Sequence, residues 1–599
     1  YGSSLEFELW MDGSVFVPQQ FLQRMVLVIE QLIDAPDRPF SGVHFDLKQE
    51  SEQIKQWNAT DSDSVIKHST VIHWFEDTVQ KCPDAPAVIT TRQTLTYQQL
   101  NQTANQLAGL LRQHGIGAGD RVGICLGRSP WMLVAVYGVL KAGASYVPIE
   151  ASYPQSRIEY ILTDCAAPVL ITESCLAQNV NGFSGRVTFI DELDLSAFPD
   201  ADLEQKPGAD DAIYTIYTSG STGNPKGASV THGGEVNLQK WYTAEAEFSA
   251  SSRCILVSAF GFDLTQKNLY APLLCGGAVI LPAMDEYDPE IVRSTIAEYK
   301  ATHINCAPSA FYAIAEHCDD VCAEQLQSLH KVYLGGEPIR LSALQCWLQH
   351  ASTQAHLVNS YGPTECTDVV SSYVLRNTHE EQSVIPIGKP INNTRIYILN
   401  DALNPVPLGI VGEISIAGAG VGLGYLGQEE LTAAVFVDDL FGDGRLYKTG
   451  DLGRYLPDGN IEYIGRKDFQ VKVRGLRIEL GEIEFAIKQL AEIEDALVLV
   501  QDDQLVGYGL TAQTQPPAGW PAQLRETLPD YMVPASLIVL QNWPLTPNGK
   551  IDRKALPSAE TQHSNRPYLA PRNDIEFTIA DIWVQILKVD RVGVEDSFF

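Results

Sequence analysis

From about Val65 to Ile464 the chain repeats one alternation: short apolar runs such as "RVGICL", "HINCAP", "AVIL" and "RIYILN" follow helix-like segments and Gly/Pro turns. Strand and helix signals that alternate in this way predict an α/β fold of layered, partly parallel sheets with helices against them. The alternation defines a large unit over residues 65–465. A smaller α+β unit over 466–557 opens with "GRKDFQVKVRGLRIELGEIEFAIKQL", where strand alternation passes into helical periodicity. The stretch 558–573, polar and proline-bearing, reads as a linker. Beyond it, residues 574–599 begin with the amphipathic "IEFTIADIWVQIL". At the other end, residues 1–48 read as a strand, "SLEFELWM", followed by the helix "PQQFLQRMVLVIEQLI", and 49–64 as a polar connector. Two elements cannot bury a core of their own, so both flanks are expected to be edges of neighbouring domains.

The eleven residues "YTSGSTGNPKG", Tyr217 to Gly227, raise the first functional question. Glycines allow backbone N–H groups to form an anion-holding nest, the hydroxyls add donors, and Lys226 adds a charge. The pattern is not a Walker A loop, because Lys226 is followed by Gly227 instead of Ser or Thr. A plain polar turn is the competing reading. Charge narrows the options: a formal net charge of −32 on 599 residues repels polyanions, which excludes nonspecific nucleic-acid or anionic-membrane binding. A phosphate ligand must then be held by local donors. Eleven cysteines without a Cys-x-x-Cys pair predict reduced thiols, with neither a disulfide framework nor a zinc site. The longest apolar stretch, Trp131–Leu140, is about half a membrane span, and no signal-peptide pattern opens the chain. The expectation is a soluble, cytoplasmic protein.

Nine segments then occur in order: "LTYQQL" (95–100), "LKAGASYVPIE" (140–150), the loop at 217–227, "NSYGPTE" (359–365), "GEISIAGAGVGLGYL" (412–426), "YKTGDL" (447–452), "GRKDFQVKVRGLRIELGEIE" (465–484), "LPDYMVP" (528–534) and "NGKIDR" (548–553). Together they resemble the core motifs of nonribosomal peptide synthetase adenylation domains, members of the adenylate-forming ligases, over roughly Val65 to Pro557. The resemblance implies a large adenylation core and a small C-terminal subdomain joined by a hinge. It further implies ATP-dependent activation of an amino acid to an aminoacyl adenylate, release of pyrophosphate, and transfer of the acyl group to a phosphopantetheine thiol. A carboxylate attacking a tetra-anionic triphosphate needs charge neutralisation and alignment more than a covalent nucleophile.

Carried over residue by residue, the resemblance makes Thr218, Ser219, Gly220, Ser221, Thr222, Gly223 and Lys226 the cradle for the β- and γ-phosphates. Glu365 becomes the Mg²⁺-associated carboxylate, with the chemistry of a hard oxygen ligand. Thr364 would meet the α-phosphate, Tyr361 would lie against adenine, and Asn359 near its polar edge. Asp451 would accept both ribose hydroxyls, Arg466 would assist at ribose or phosphate, and Lys550 would be the catalytic lysine bridging substrate carboxylate and α-phosphate. Asp468 falls at the hinge.

Asp263 of "FGFDLTQKN" matches the aspartate that pairs with a substrate α-ammonium, which argues for an α-amino acid, since a desolvated cation needs a partner. The remaining pocket positions are Leu264, Lys267, Asn305, Tyr333, Gly335, Ser360, Asp368 and Val369. Such a lining is polar. Either Lys267 neutralises a substrate carboxylate, which suggests glutamate or its amide, or it pairs with Asp368 and leaves a neutral polar pocket.

The flanks resemble the end of a condensation domain and the start of a peptidyl carrier protein. The implied partners are therefore those two domains of the same synthetase, the amino acid, and a small activator protein in some such systems. The phosphopantetheine-bearing serine is expected beyond Phe599. Two other classes compete: an acyl-CoA synthetase or luciferase-like ligase, against which Asp263 and the flanks argue, and a catalytically silent docking module. Silence is disfavoured by the presence of Lys226, Glu365, Asp451 and Lys550.

Overall fold

The computed structural model describes residues 13, 15–36, 47–62, 68–180, 182–220, 224–284, 286–315, 318–350, 354–375, 385–468, 470–473, 475–501, 504–544, 551–557, 570–587 and 591–593. Contacts group the chain into two compact units, Tyr1–Gly220 with Asn224–Ile478, and Ser221–Gly223 with Glu479–Phe599. The change of unit thus follows Ile478, somewhat later than the 465/466 boundary read from sequence.

In the larger unit the alternation read from sequence folds into two mixed sheets. A nine-stranded sheet places Ser371–Leu375, His356–Tyr361, Lys331–Gly335, His303–Cys306, Arg253–Ile255 and Ala278–Ile280 side by side, with the last five mutually parallel. A seven-stranded sheet runs Gly424–Tyr425, Lys226–Thr231, Ala212–Thr218, Ser145–Pro148, Arg121–Cys125, Val169–Thr172, Arg186–Phe189. A third, antiparallel sheet is centred on Arg445–Tyr455.

One apolar cluster joins side chains from the first two sheets (Val88, Val279; Val122, Tyr146, Ile213) with those of the helices Tyr97–Gln113, Pro130–Ala142 and Asp263–Leu274. The helix Pro130–Ala142 is the apolar stretch noted above. Every residue in it except Trp131 is buried, as expected of a helix that is apolar all round. Its Lys141 is buried against Glu76, which neutralises the charge at the helix end. Among the described residues no helix is long and apolar enough to cross a membrane, and all eleven cysteines are free thiols.

The connector 49–64 differs from its expectation. The helix Lys48–Trp57 runs into it and takes up its first half, and the chain after it is docked on the third sheet. Asn58 acts as a surrogate edge partner, its Nδ2 donating to Ile396 O (3.0 Å) and its Oδ1 accepting from Ile396 N (2.7 Å). Trp57 lies against Tyr455 with ring centroids 5.2 Å apart. The polar letters masked two anchors that only a tertiary partner reveals. The helix Pro18–Asp34 forms as read; the strand expected before it lies outside the described residues.

The smaller unit packs the helix Leu480–Lys488 with a sheet of Asp495–Gln501, Gln504–Leu510 and Ser536–Leu540, the first pair antiparallel and the second parallel. Leu497, Val506, Tyr508, Ile538 and Leu556 form its core. The helix Asp574–Leu587 matches the amphipathic run read from sequence.

Candidate nucleotide and amino-acid site

The site is built at the carboxyl ends of adjacent parallel strands, the place where open α/β sheets bind ligands. His303–Cys306, Lys331–Gly335 and His356–Tyr361 run side by side, with Asn305 opposite Tyr333 and Gly335 opposite Ser360. Side chains one apart point to opposite faces. Val332 and Leu334 accordingly join one core cluster, while Tyr333 joins another with Trp241, Tyr242 and Val369. Asn305, Tyr333 and Gly335 therefore share one face.

After Tyr361 the chain turns sharply. A Cβ on Gly362 would meet Asp368 O at 1.9 Å, so only glycine allows the backbone to fold back there. Thr364–Cys366 form a single 3-10 turn, and Thr367 and Asp368 both adopt left-handed φ (60° and 64°). Two such residues in succession cost on the order of 1–3 kcal/mol each and are found where surrounding contacts enforce them. Here Thr367 Oγ1 donates to Gly420 O (2.7 Å) and Asp368 accepts from Lys267 Nζ. The turn thereby delivers Thr364, Glu365 and Asp368 in different directions.

Thr364 Oγ1 donates to Asp263 Oδ2 (2.5 Å), and Leu264 N donates to Asp263 Oδ1 (2.7 Å). Asp263, at the start of the helix Asp263–Leu274, is half-buried; desolvation and the nearby Asp368 charge push its carboxyl up to about 6 despite those hydrogen bonds. Lys267, one helical turn on, is fully buried and paired with Asp368. Asn305 Nδ2 donates to Leu264 O (2.9 Å), but its Oδ1 is buried without a hydrogen-bond partner, as is Tyr333 Oη. Ser360 Oγ donates to Leu334 O (3.2 Å), and Val369 is buried beside Tyr333.

Toward the third sheet, Tyr361 Oη donates to Asp451 Oδ2 (2.6 Å), and the other Asp451 oxygen accepts from Arg466 Nη1. Asp451 and Arg466 are cross-strand neighbours, which holds that ion pair in register. Arg466 also grips Asp468 through Nε (2.6 Å) and Nη2 (2.7 Å). Asn359 Nδ2 donates to Pro386 O (2.8 Å).

The glycine-rich segment is a hairpin loop between Ala212–Thr218 and Lys226–Thr231, with Thr218 paired to Lys226. Thr218 Oγ1 is buried without a partner, and Ser219 Oγ donates to Arg477 O (3.0 Å). A Cβ on Gly220 would meet Asn224 O at 1.9 Å. Ser221, Thr222 and Gly223 lie outside the described residues, as does Lys550.

Glu365 is buried. Its Oε1 accepts from Tyr425 Oη (2.5 Å) and lies 4.0 Å from Lys226 Nζ, while Oε2 accepts from Arg477 Nη1 (2.9 Å). Burial alone would raise this carboxyl, but Arg477 and Lys226 bring it down to about 2. It is a fixed anion at any working pH. Among the described residues no cluster of three or more His, Cys, Asp or Glu is arranged to hold a metal. Magnesium binds proteins through one or two carboxylates and takes further oxygens from phosphates and water, so Glu365 could serve it only by exchanging Arg477 or Tyr425, which occupy its two oxygens here, for the ion.

Arg477 and Tyr425 were missed as site residues although both lie inside quoted motifs, "RGLRIELGE" and "GVGLGYL". Their partners are distant in sequence, so no local signal marks them.

A family model described as "AMP-binding enzyme" matches residues 75–426, more than half of the chain. Tyrocidine synthase 3 of Brevibacillus parabrevis is 40% identical over 540 residues, 89% of this chain and 8% of that protein. Gramicidin S synthase 2 of Aneurinibacillus migulanus is 37% identical over 592 residues, 97% of this chain and 13% of that protein. The chain thus spans a small fraction of the curated relatives it matches. Among solved structures, holo-PA1221, a nonribosomal peptide synthetase protein with adenylation and carrier domains bound to a vinylsulfonamide inhibitor, superposes with a TM-score of 0.76. It is 26% identical, with 88% of each chain covered. The four-domain synthetase holo-AB3403, bound to AMP and glycine, gives 0.67 at 29% identity, covering 97% of this chain and 43% of that one. With the layered core and small C-terminal unit described above, the chain belongs to the AMP-binding enzyme family, among the adenylation domains of nonribosomal peptide synthetases.

Proposed function

We propose that this protein activates an amino acid with ATP, forming aminoacyl-AMP and pyrophosphate, for delivery to the phosphopantetheine thiol of a carrier domain. One observation carries the reading: the five residues Tyr361–Glu365 reach both ends of a single site. Tyr361 bonds Asp451, Thr364 bonds Asp263, and Glu365 faces Lys226. An adenylate spans such a distance, with its ribose at Asp451, its phosphorus near Thr364 and its α-ammonium at Asp263.

In this mechanism Asp263 supplies the charge a desolvated ammonium requires. Thr364 meets the α-phosphate in this reading, and the hairpin loop with Lys226 holds the departing pyrophosphate. Glu365 would hold Mg²⁺, which neutralises phosphate charge when bound. Lys550 bridges the attacking carboxylate and the α-phosphate, and Asp468 serves as the hinge for the small subdomain's later turn toward a carrier arm. The carrier and condensation domains of a larger synthetase, and a small activator protein, are the proposed partners.

The substrate side chain is proposed to be polar, with glutamate or its amide as the candidates, because Lys267, Asp368 and Asn305 are among the pocket positions. An acyl- or aryl-acid ligase would have no use for a half-buried Asp263 whose oxygens accept from the neutral donors Thr364 Oγ1 and Leu264 N.

ATP–pyrophosphate exchange measured across the amino acids tests the activity. Exchange stimulated by one or a few polar amino acids is expected, and Lys550→Ala should abolish it while nucleotide binding persists. Stimulation by fatty or aryl acids alone would replace the proposed activity with that of another adenylate-forming ligase.

A further inference from the structure

Asp263 can discriminate between ligands only if it is held in place, yet it follows directly on a stretch without helix or strand. Residues 256–262 link the strand Arg253–Ile255 to the helix Asp263–Leu274, and Phe262, which precedes the helix, gives it no side-chain cap. The backbone of this loop is met instead by side chains of other elements. Arg128 donates through Nη1 to Leu256 O (3.0 Å) and through Nη2 to Val257 O (2.9 Å), and Thr265 Oγ1 donates to Ala259 O (2.6 Å).

The three residues before Asp263 are gripped most closely. Gln266 Nε2 donates to both Phe260 O (2.5 Å) and Phe262 O (3.0 Å), while Gly261 N donates to Glu150 Oε1 (2.6 Å). Phe260 O and Gly261 N are the two ends of one trans peptide unit and point in opposite directions. Gln266 and Glu150 therefore hold that unit from opposite sides. Phe262 O belongs to the next peptide but one, the unit that carries the nitrogen of Asp263.

Gln266 is itself oriented from behind. It is fully buried, and its Oε1 accepts from Tyr146 Oη (2.6 Å). Since Tyr146 gives its only hydroxyl proton to Gln266, Tyr270 is the donor in the 2.7 Å bond between the two tyrosine hydroxyls. The ring of Tyr146 also lies parallel to that of Phe260, with centroids 6.3 Å apart. A directed chain thus runs from Tyr270 through Tyr146 and the Gln266 amide to the carbonyls beside Asp263. Burying an amide is costly unless its donors and acceptor are met, and here the bonds that meet it all end at the approach to Asp263 or at the tyrosines behind.

We propose that Gln266 is a positioning residue for the amino-acid substrate. Backed by Tyr146 and Tyr270, it clamps residues 260–262 against Glu150 and so fixes the Asp263 carboxylate where an α-ammonium meets it. This rests on the amino-acid-activating function proposed above.

Gln266→Met keeps the length of the side chain and removes its hydrogen bonds. ATP–pyrophosphate exchange with the preferred amino acid and its des-amino counterpart is measured in wild type, Gln266→Met, Asp263→Asn and the double variant. The preference for the amino acid should fall about tenfold in Gln266→Met, since small misplacements of a binding group are costly, while KM for ATP stays constant. A general loosening of the fold would lower exchange with both acids alike. Added to Asp263→Asn, Gln266→Met should reduce exchange by no more than about twofold further, because a residue that acts through Asp263 has nothing left to act through. A preference unmoved by Gln266→Met, or losses that multiply in the double variant, overturns the role of Gln266. Should Gln266→Met fail to fold, Tyr146→Phe replaces it by removing only the hydroxyl that orients the amide: a drop of about threefold in the same preference supports the proposal, and no change overturns it. Wild-type protein without a preference for the amino acid removes both this inference and the reading of Asp263 beneath it. A preference that Asp263→Asn abolishes and Gln266→Met leaves intact removes this inference alone.

Discussion

The two ends of the site handle their polar groups in opposite ways. At the end proposed to take adenosine, Tyr361, Asp451, Arg466 and Asn359 satisfy one another or the backbone. At the end proposed to take the amino acid, Asp263 is a half-buried carboxylate that desolvation and the Asp368 charge push up, and Asn305 Oδ1 and Tyr333 Oη are buried without hydrogen-bond partners. A ligand part common to every reaction of this kind can be met by a self-satisfied, rigid surface. The variable part is met by groups whose burial penalty is relieved only by the right ligand, and an unmatched buried group discriminates more strongly than a matched one.

Glu365 stands between the two ends, and its substitution should have the largest effect. Glu365→Gln is expected to lower exchange by about 10²–10³-fold, the usual cost of losing one preorganised electrostatic group, with the deficit appearing in kcat for both substrates. A deficit confined to one KM would show that Glu365 serves only one end. Asp263→Asn comes next. Amino-acid KM should rise about 100-fold, as for an uncompensated buried charge of roughly 3 kcal/mol, with ATP KM unchanged. A parallel rise in ATP KM would break the proposed separation of the two ends.

The pH dependence sharpens the same contrast. The carboxyl of Asp263 sits near 6, so it is ionised above that pH and neutral below it. Since only the anion pairs with an ammonium, kcat/KM for the amino acid should fall about tenfold per unit below pH 6. Glu365, held near 2, stays ionised throughout that range and adds no inflection. Profiles recorded with Asp263→Asn should lose the inflection. The smallest effect is expected at the self-satisfied end: Tyr361→Phe removes one hydrogen bond of about 1 kcal/mol, which predicts a roughly fivefold rise in ATP KM and no change for the amino acid.

The sequence made the layered α/β class legible because strand and helix periodicities are local, and it made Asp263, Tyr361, Thr364, Glu365 and Asp451 legible because each stands in a short motif. What stayed hidden depends on partners far along the chain. Lys267 and Asp368 are 101 positions apart, so sequence left open whether the lysine answers a substrate or a neighbour; in the fold it contacts Asp368. Arg477 meets Glu365 across 112 positions. The helix Lys48–Trp57 was read as a connector because a polar helix with few buried residues gives a weak periodic signal.

The pairing of Asp263 with an α-ammonium is the central claim, and ATP–pyrophosphate exchange with the preferred amino acid and its des-amino counterpart tests it most directly. Exchange with the amino acid, loss of at least two orders of magnitude with the des-amino acid, and near-equal weak exchange with both in Asp263→Asn are the expected results. Comparable exchange with amino and des-amino acids in the wild-type protein would contradict the claim.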